Sequence, residues 1–249
     1  MNVLVLVAGV LDPKWPIAPE GRNLPVRDAG RLILSRFDEA ALEIALKIRD
    51  GLPDANVRAL VVGGGEAERL ARSIVAFNVT DVAILTADAL WDQGAAARSM
   101  AGEIRDADLI LIGREFGDCD DGLVPPMLAA LLGFAFFGCV QSVMVTDTVE
   151  LLRETGRYEE RLIADRPILA SVTNDRRTRL RKPLMKNVVI ARQAHIARRN
   201  PPSCRQADLE LHGVSAFSSA RETISCRLLA GTNTEQAEQL ADLLIEARR

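Results

Sequence analysis

The N-terminal half of the chain alternates short apolar runs with stretches in which apolar residues recur every three or four positions. Val3–Val7 is continuous and rich in β-branched residues, the pattern of a strand covered on both faces. Phe37, Ala41, Ile44 and Ile48 follow at helical spacing, with Asp38, Glu39, Glu43 and Lys47 between them. Ser35 is placed to cap that helix, and Gly51 to end it. Val57–Val62 predicts the next strand, followed by Gly63-Gly64-Gly65 and a helix with Leu70, Ile74 and Phe77 on one face. Val82–Leu85, a helix through Met100 and Ile104, and Leu109–Ile112 continue the series. Strands alternating with helices predict an α/β fold with a parallel sheet and right-handed crossovers.

After Gly133 the pattern shortens. Cys139–Val145, Val149–Arg153 and Ile168–Thr173 predict strands, with Thr155–Arg157 as a hairpin turn. The four prolines between Leu11 and Pro25 predict a loop. From Arg176 to Ser203 neither period holds over most of the length, although Val188–Ala191 is a candidate for local strand pairing. A last amphipathic helix is expected behind the capping box Thr232-x-x-Glu235, with Ala237, Leu240, Ala241 and Leu244 on its apolar face. The expected organisation is an α/β domain over residues 1–174 and a C-terminal arm over 175–249.

Composition narrows the possibilities. Of 249 residues 48% are hydrophobic but only 4% aromatic, so the core must be aliphatic. A formal net charge of -3 argues against nucleic acid as a partner. The opening MNVLVLVAGVLD has no basic leader and reaches Asp12 within one short apolar run, which predicts a buried strand, no membrane span and a cytoplasmic protein. Four dispersed cysteines form no CxxC pair, in keeping with reduced thiols. The charge is unevenly spread: Arg176–Arg199 is rich in Arg and Lys and contains no Asp or Glu.

Candidate chemistry concentrates at the ends of the predicted strands, because open parallel sheets bind ligands beyond their carboxyl edges. Those ends are Ala8-Gly9, Gly63–Gly65, Thr86-Ala87 and Gly113–Gly122. Glycine there lets backbone N–H groups approach a phosphate, but it is also ordinary turn chemistry. Asp118-Cys119-Asp120-Asp121 has carboxylates suited to Mg²⁺; an Asp capping a helix over Pro125–Leu132 is the simpler reading. His195 and His212 both lie in the late, irregular part of the chain, His195 has no acid–base partner nearby in the chain, and P-loop, GxSxG and GxGxxG patterns are absent. No nucleophile–base pair stands out, so the chain does not look built for catalysis on its own.

Four segments resemble the β subunit of electron-transfer flavoproteins. They are Val3–Pro13 with its Val-Leu-Asp-Pro turn, Arg36-Phe37-Asp38-Glu39-Ala-Ala-Leu-Glu43-Ile-Ala-Leu46, Ala107–Arg114 with the acidic loop and Met127–Gly133, and Arg181–Arg192. The resemblance implies an open parallel nucleotide-binding sheet, Rossmann-like or adenine nucleotide α-hydrolase-like, paired with an α subunit that holds most of a redox-active FAD. It implies AMP, or a second FAD, on this chain, bound around Ala8, Gly9, Ser35, Arg36, Phe37, Val62, Gly63, Asp118, Asp120, Gly122, Leu123 and Val124. It also implies that Leu184, Met185, Lys186 and Asn187 form the tip that docks acyl-CoA or N-methyl-amine dehydrogenases, the electrons passing on to a quinone-reductase-type acceptor.

The chain departs from the family pattern where nucleotide would sit. The common D-x-N-Q-T-G is Asp120-Asp121-Gly122-Leu123-Val124-Pro125, and the basic pair after the first strand is Ala8-Gly9. Leu123 and Val124 offer no side-chain amide or hydroxyl, and Pro125 has no N–H, which argues against AMP or FAD here. Arg36 and Arg114 are candidates to supply compensating charge. The competing expectations are a nucleotide-free structural or assembly subunit and a small-molecule ATP- or AMP-binding protein of the same superfold.

Overall fold

The computed structural model describes residues 1–15, 30–87, 90–200, 209–210, 212–213, 226 and 228–247. Its strands and helices run, in order, β1 Asn2–Val7, β2 Val10–Leu11, β3 Leu32–Ile33, α1 Arg36–Gly51, β4 Asn56–Val62, α2 Ala67–Val75, β5 Asp81–Leu85, α3 Gln93–Glu103 and β6 Leu109–Gly113. They continue with α4 Val124–Leu132, β7 Ala135–Val140, β8 Ser142–Val145, β9 Val149–Thr155, β10 Tyr158–Ala164, β11 Ile168–Val172, a 3-10 turn at Arg176–Thr178, α5 Met185–Gln193, β12 Ala197–Arg199 and α6 Asn233–Glu246. The chain divides into two units, residues 1–214 and 215–249, and α6 is the one described helix of the second.

The expected parallel sheet is present. Seven strands lie in the order β12-β5-β4-β1-β6-β11-β7, with parallel pairing at every step. The period of two in β1 divides its side chains between two cores. Val3, Val5 and Val7 face Ala41, Ile44 and Ala45 of α1 and Ile74 of α2, whereas Leu4 and Leu6 join Met100 of α3 and Leu128 of α4. Both faces are therefore covered, which is why these strands are apolar without alternation. β8, β9 and β10 form a separate antiparallel sheet, attached through Val149 and Leu151 to the core under α1. The Gly156-Arg157 turn joins β9 to β10 where the hairpin was expected.

Two expectations need correction. Cys139–Val145 is not one strand: residues 135–140 lie parallel to β11, and residues 142–145 turn into the antiparallel sheet. The break comes where Cys139 takes φ +57° and the Gln141 N–H donates to Leu152 O at 2.8 Å. The segment after Arg176 does contain regular structure, and Val188–Ala191 lies in helix α5 rather than in a strand. Only Ala191 of that helix is buried, so no apolar stripe announces it. Arg72 of α2 instead donates to the carbonyls of Ala191, Arg192 and Ala194 at the end of α5. β12 then adds to the sheet edge beside β5. Of the proline-rich loop expected from Leu11 to Pro25, residues 16–25 lie outside the described residues.

Candidate functional site

The sheet order reverses between β1 and β6: β1 leads through α1 to β4 on one side, and β6 lies on the other. The crevice beyond the carboxyl ends of those two strands is where an open α/β sheet takes its ligand. Most of the residues expected around a nucleotide meet there. Ala8 and Gly9 leave β1, Ser35, Arg36 and Phe37 open α1, and Asp118, Asp120, Gly122, Leu123 and Val124 connect β6 to α4. Val62 and Gly63 stand one strand away at the end of β4, where Gly63 N donates to Leu85 O and Gly63 O accepts from Ala87 N. Leu184 to Asn187 are elsewhere, at the start of α5.

Close approach explains two glycines. Gly9 has φ +66°, and a Cβ there would stand 2.9 Å from Ile33 O. A Cβ on Gly113 would stand 2.9 Å from Phe37 Cβ, so β6 and the first turn of α1 pack backbone to side chain. Arg114 lies over the Phe37 ring at 4.9 Å and is bound at 2.7 Å to Glu115.

The acidic loop is a capping device. Asp120 is buried, and its Oδ2 accepts from Phe116 N at 2.8 Å. Its Oδ1 accepts from Gly122 N at 3.0 Å, Leu123 N at 2.8 Å and Val124 N at 3.2 Å. Asp118 Oδ1 accepts from Leu11 N at 2.9 Å, tying the loop to the exit of β1. Among the described residues no cluster of His, Cys, Asp and Glu is arranged to hold a metal ion. The donors that a phosphate would use at the start of α4 are already bonded to Asp120, and Pro125 and Pro126 supply none. These residues do not fit a nucleotide phosphate.

The second feature is the segment Arg181–Gln193. Arg181 is anchored on α1: its N–H and Nε donate to Glu43 Oε2 at 3.1 and 3.0 Å, and its Nη2 donates to Glu43 Oε1 at 2.9 Å. Glu43 is buried, and Asp50 makes a further contact to Arg181 Nη1 at 2.5 Å. The bonds from Glu43 raise the Arg181 pKa further above its ordinary value. Held this way, the chain presents Leu184 and Met185 at 61% and 77% exposure. Val189 and Ile190 are exposed beside them, Lys186 lies in the first turn, and no side chain caps α5. Uncapped N–H groups and Lys186 make the tip apolar within a positive surround.

The electron transfer flavoprotein domain family matches residues 24–201, most of the chain, including the tip and the crevice residues other than Ala8 and Gly9. The chain belongs to the electron transfer flavoprotein family. It is 28% identical over 138 residues to an electron transfer flavoprotein subunit beta of Bradyrhizobium diazoefficiens, covering 54% of this chain and 55% of that protein. It is 25% identical over 152 residues to the caffeyl-CoA reductase-Etf complex subunit CarD of Acetobacterium woodii, covering 59% of this chain and 58% of CarD. A longer match, 27% over 209 residues, joins 78% of this chain to 77% of an electron transfer flavoprotein subunit beta of Mycobacterium tuberculosis. The chain thus spans between half and three fifths of the length of the first two relatives. Two of these three relatives carry the name of the β subunit, so within the family the resemblance is to β-type chains. No described helix is long and apolar enough to cross a membrane.

Sequence reasoning missed the Glu43–Arg181 anchor. The one available signal was a carboxylate set between Leu42 and Ile44 in an otherwise apolar stretch of α1.

Proposed function

We propose that this chain is the β subunit of a cytoplasmic electron transfer flavoprotein heterodimer that receives electrons from acyl-CoA or N-methyl-amine type dehydrogenases and passes them to a quinone-reductase-type acceptor. FAD, held mainly by the α subunit, supplies the redox chemistry. The residues of this chain supply the scaffold and the dehydrogenase contact. The supporting observation is the tip at Leu184 and Met185, two large apolar side chains held out from the body by the Arg181–Glu43 pair. Apolar side chains adapt to several partners, and surrounding positive charge speeds encounter with acidic surfaces.

The test is to co-express the chain with an α subunit encoded beside it, purify the pair, and follow flavin reduction by candidate dehydrogenases. Met185→Ser is expected to raise KM for the dehydrogenase at least fivefold while flavin content stays unchanged. A pair that carries flavin but is reduced equally well with Met185→Ser and Leu184→Ser together rules out this docking site. Failure to form any flavin-bearing pair rules out the electron-transfer role.

A further inference from the structure

Along the carboxyl edge of the main sheet, carboxylates of the chain itself accept from backbone N–H groups in the turns before α1 and α2 and in the first turns of α3 and α4. Asp38 Oδ2 accepts from Gly9 N at 3.2 Å and Ser35 N at 3.0 Å at the start of α1. Glu66 Oε1 accepts from Gly64 N at 3.0 Å before α2, and Asp92 Oδ1 accepts from Ala95 N at 2.9 Å in α3. Asp120 takes four N–H groups at once before α4, and Asp118 takes that of Leu11. Helix N-termini and glycine turns attract anions because their N–H groups need acceptors. Here the acceptors are built in. A phosphate brought to the crevice would have to displace a buried, hydrogen-bonded carboxylate while facing its neighbours' negative charge. Arg114, the basic side chain of this loop, is committed to Glu115 and Phe37.

We propose that Asp120 stands in for a nucleotide phosphate, so that this subunit folds and assembles without AMP or a second FAD of its own. The proposal draws on the electron-transfer reading only for the identity of the excluded ligands; the occupied donors belong to this chain alone. It separates the two features: the docking tip is kept, whereas the crevice is closed from within.

The full chain is to be titrated with AMP, FAD and inorganic phosphate by calorimetry and thermal shift, and nucleotide released on denaturation is to be identified by chromatography. The expected result is no heat, no rise in Tm at millimolar ligand and no released AMP or FAD. Micromolar affinity for AMP or FAD, or one released from the chain in stoichiometric amount, overturns the proposal. Asp120→Ala provides the positive arm: millimolar phosphate or AMP raises the Tm of the variant by several degrees and leaves that of the natural chain unchanged. If Asp120→Ala does not fold, Asp120→Asn, which keeps an acceptor and removes the charge, takes its place. A folded variant that neither ligand stabilises overturns the stand-in role. The heterodimer's flavin is counted separately: a pair without flavin counts against the electron-transfer role and leaves the titrations of the single chain decisive.

Discussion

Gly9 shows what a single position contributes at the crevice. Its φ of +66° disfavours any side chain, and an added Cβ would also come 2.6 Å from Leu70 Cδ2. Gly9→Ala is expected to lose about 1–3 kcal/mol in urea denaturation. Gly51→Ala meets nothing within 4 Å and should be neutral or slightly stabilising. Equal midpoints for the two variants would refute the strain argument. At Glu43, Arg181→Met leaves a buried carboxylate without its guanidinium. The expected loss is roughly 2 kcal/mol, below the cost for a fully buried pair because Arg181 is partly exposed. Adding Glu43→Gln should recover part of that loss in the same assay. Ser35 as a cap was legible from its place before an apolar helix, and Asp38 completes the capping box. The Glu43 partner was not, because Arg181 lies 138 positions away.

Among the elements, α5 and β12 depend most on distant side chains. Glu68 of α2 binds Arg72 at 2.9 Å and Arg198 of β12 at 2.8 Å, while Arg72 also holds the last carbonyls of α5. The hydrogen bonds from Arg72 and Arg198 hold the Glu68 carboxyl below its ordinary 4.5. A depressed folded-state pKa stabilises above the unfolded value and is lost as pH falls through the folded one. Exchange of the backbone amides in β12 and the end of α5, corrected for intrinsic rate, should therefore speed up as pH drops below 4.5. Glu68→Gln should already exchange fast at neutral pH and lose that acid-induced increase; an unchanged pH profile would refute the linkage. These two elements escaped sequence reading because their stability lies in salt bridges and carbonyl bonds rather than in an apolar stripe. By contrast β1, α1, β4, β5 and β6 were legible, since each buries apolar residues at its own period.

On the scale of the whole molecule, Asp38, Asp118 and Asp120 among the described residues bond backbone donors at the crevice, while Lys182, Lys186 and Arg192 flank the exposed tip. Electron transfer from an acidic dehydrogenase should slow severalfold as ionic strength rises from about 50 to 300 mM, because screening shortens the reach of exposed charge. The urea midpoint of the chain should change little over the same range. Salt-independent reduction would mean that the basic surround takes no part in encounter.

The sequence by itself determined the alternation of strands and helices, the aliphatic two-faced core and the family, because burial periodicity and motif spacing are properties of neighbouring residues. Tertiary structure alone decided that β12 closes one sheet edge, that residues 135–145 divide between two sheets, and that Arg181 sets the tip on Glu43. The sequence offered an Asp of 118–121 as a helix cap; the structure decided that it is Asp120 and that its carboxylate takes four backbone donors. The physical reason is shared: each of these outcomes depends on hydrogen-bond geometry that the local pattern of apolar and polar residues does not encode.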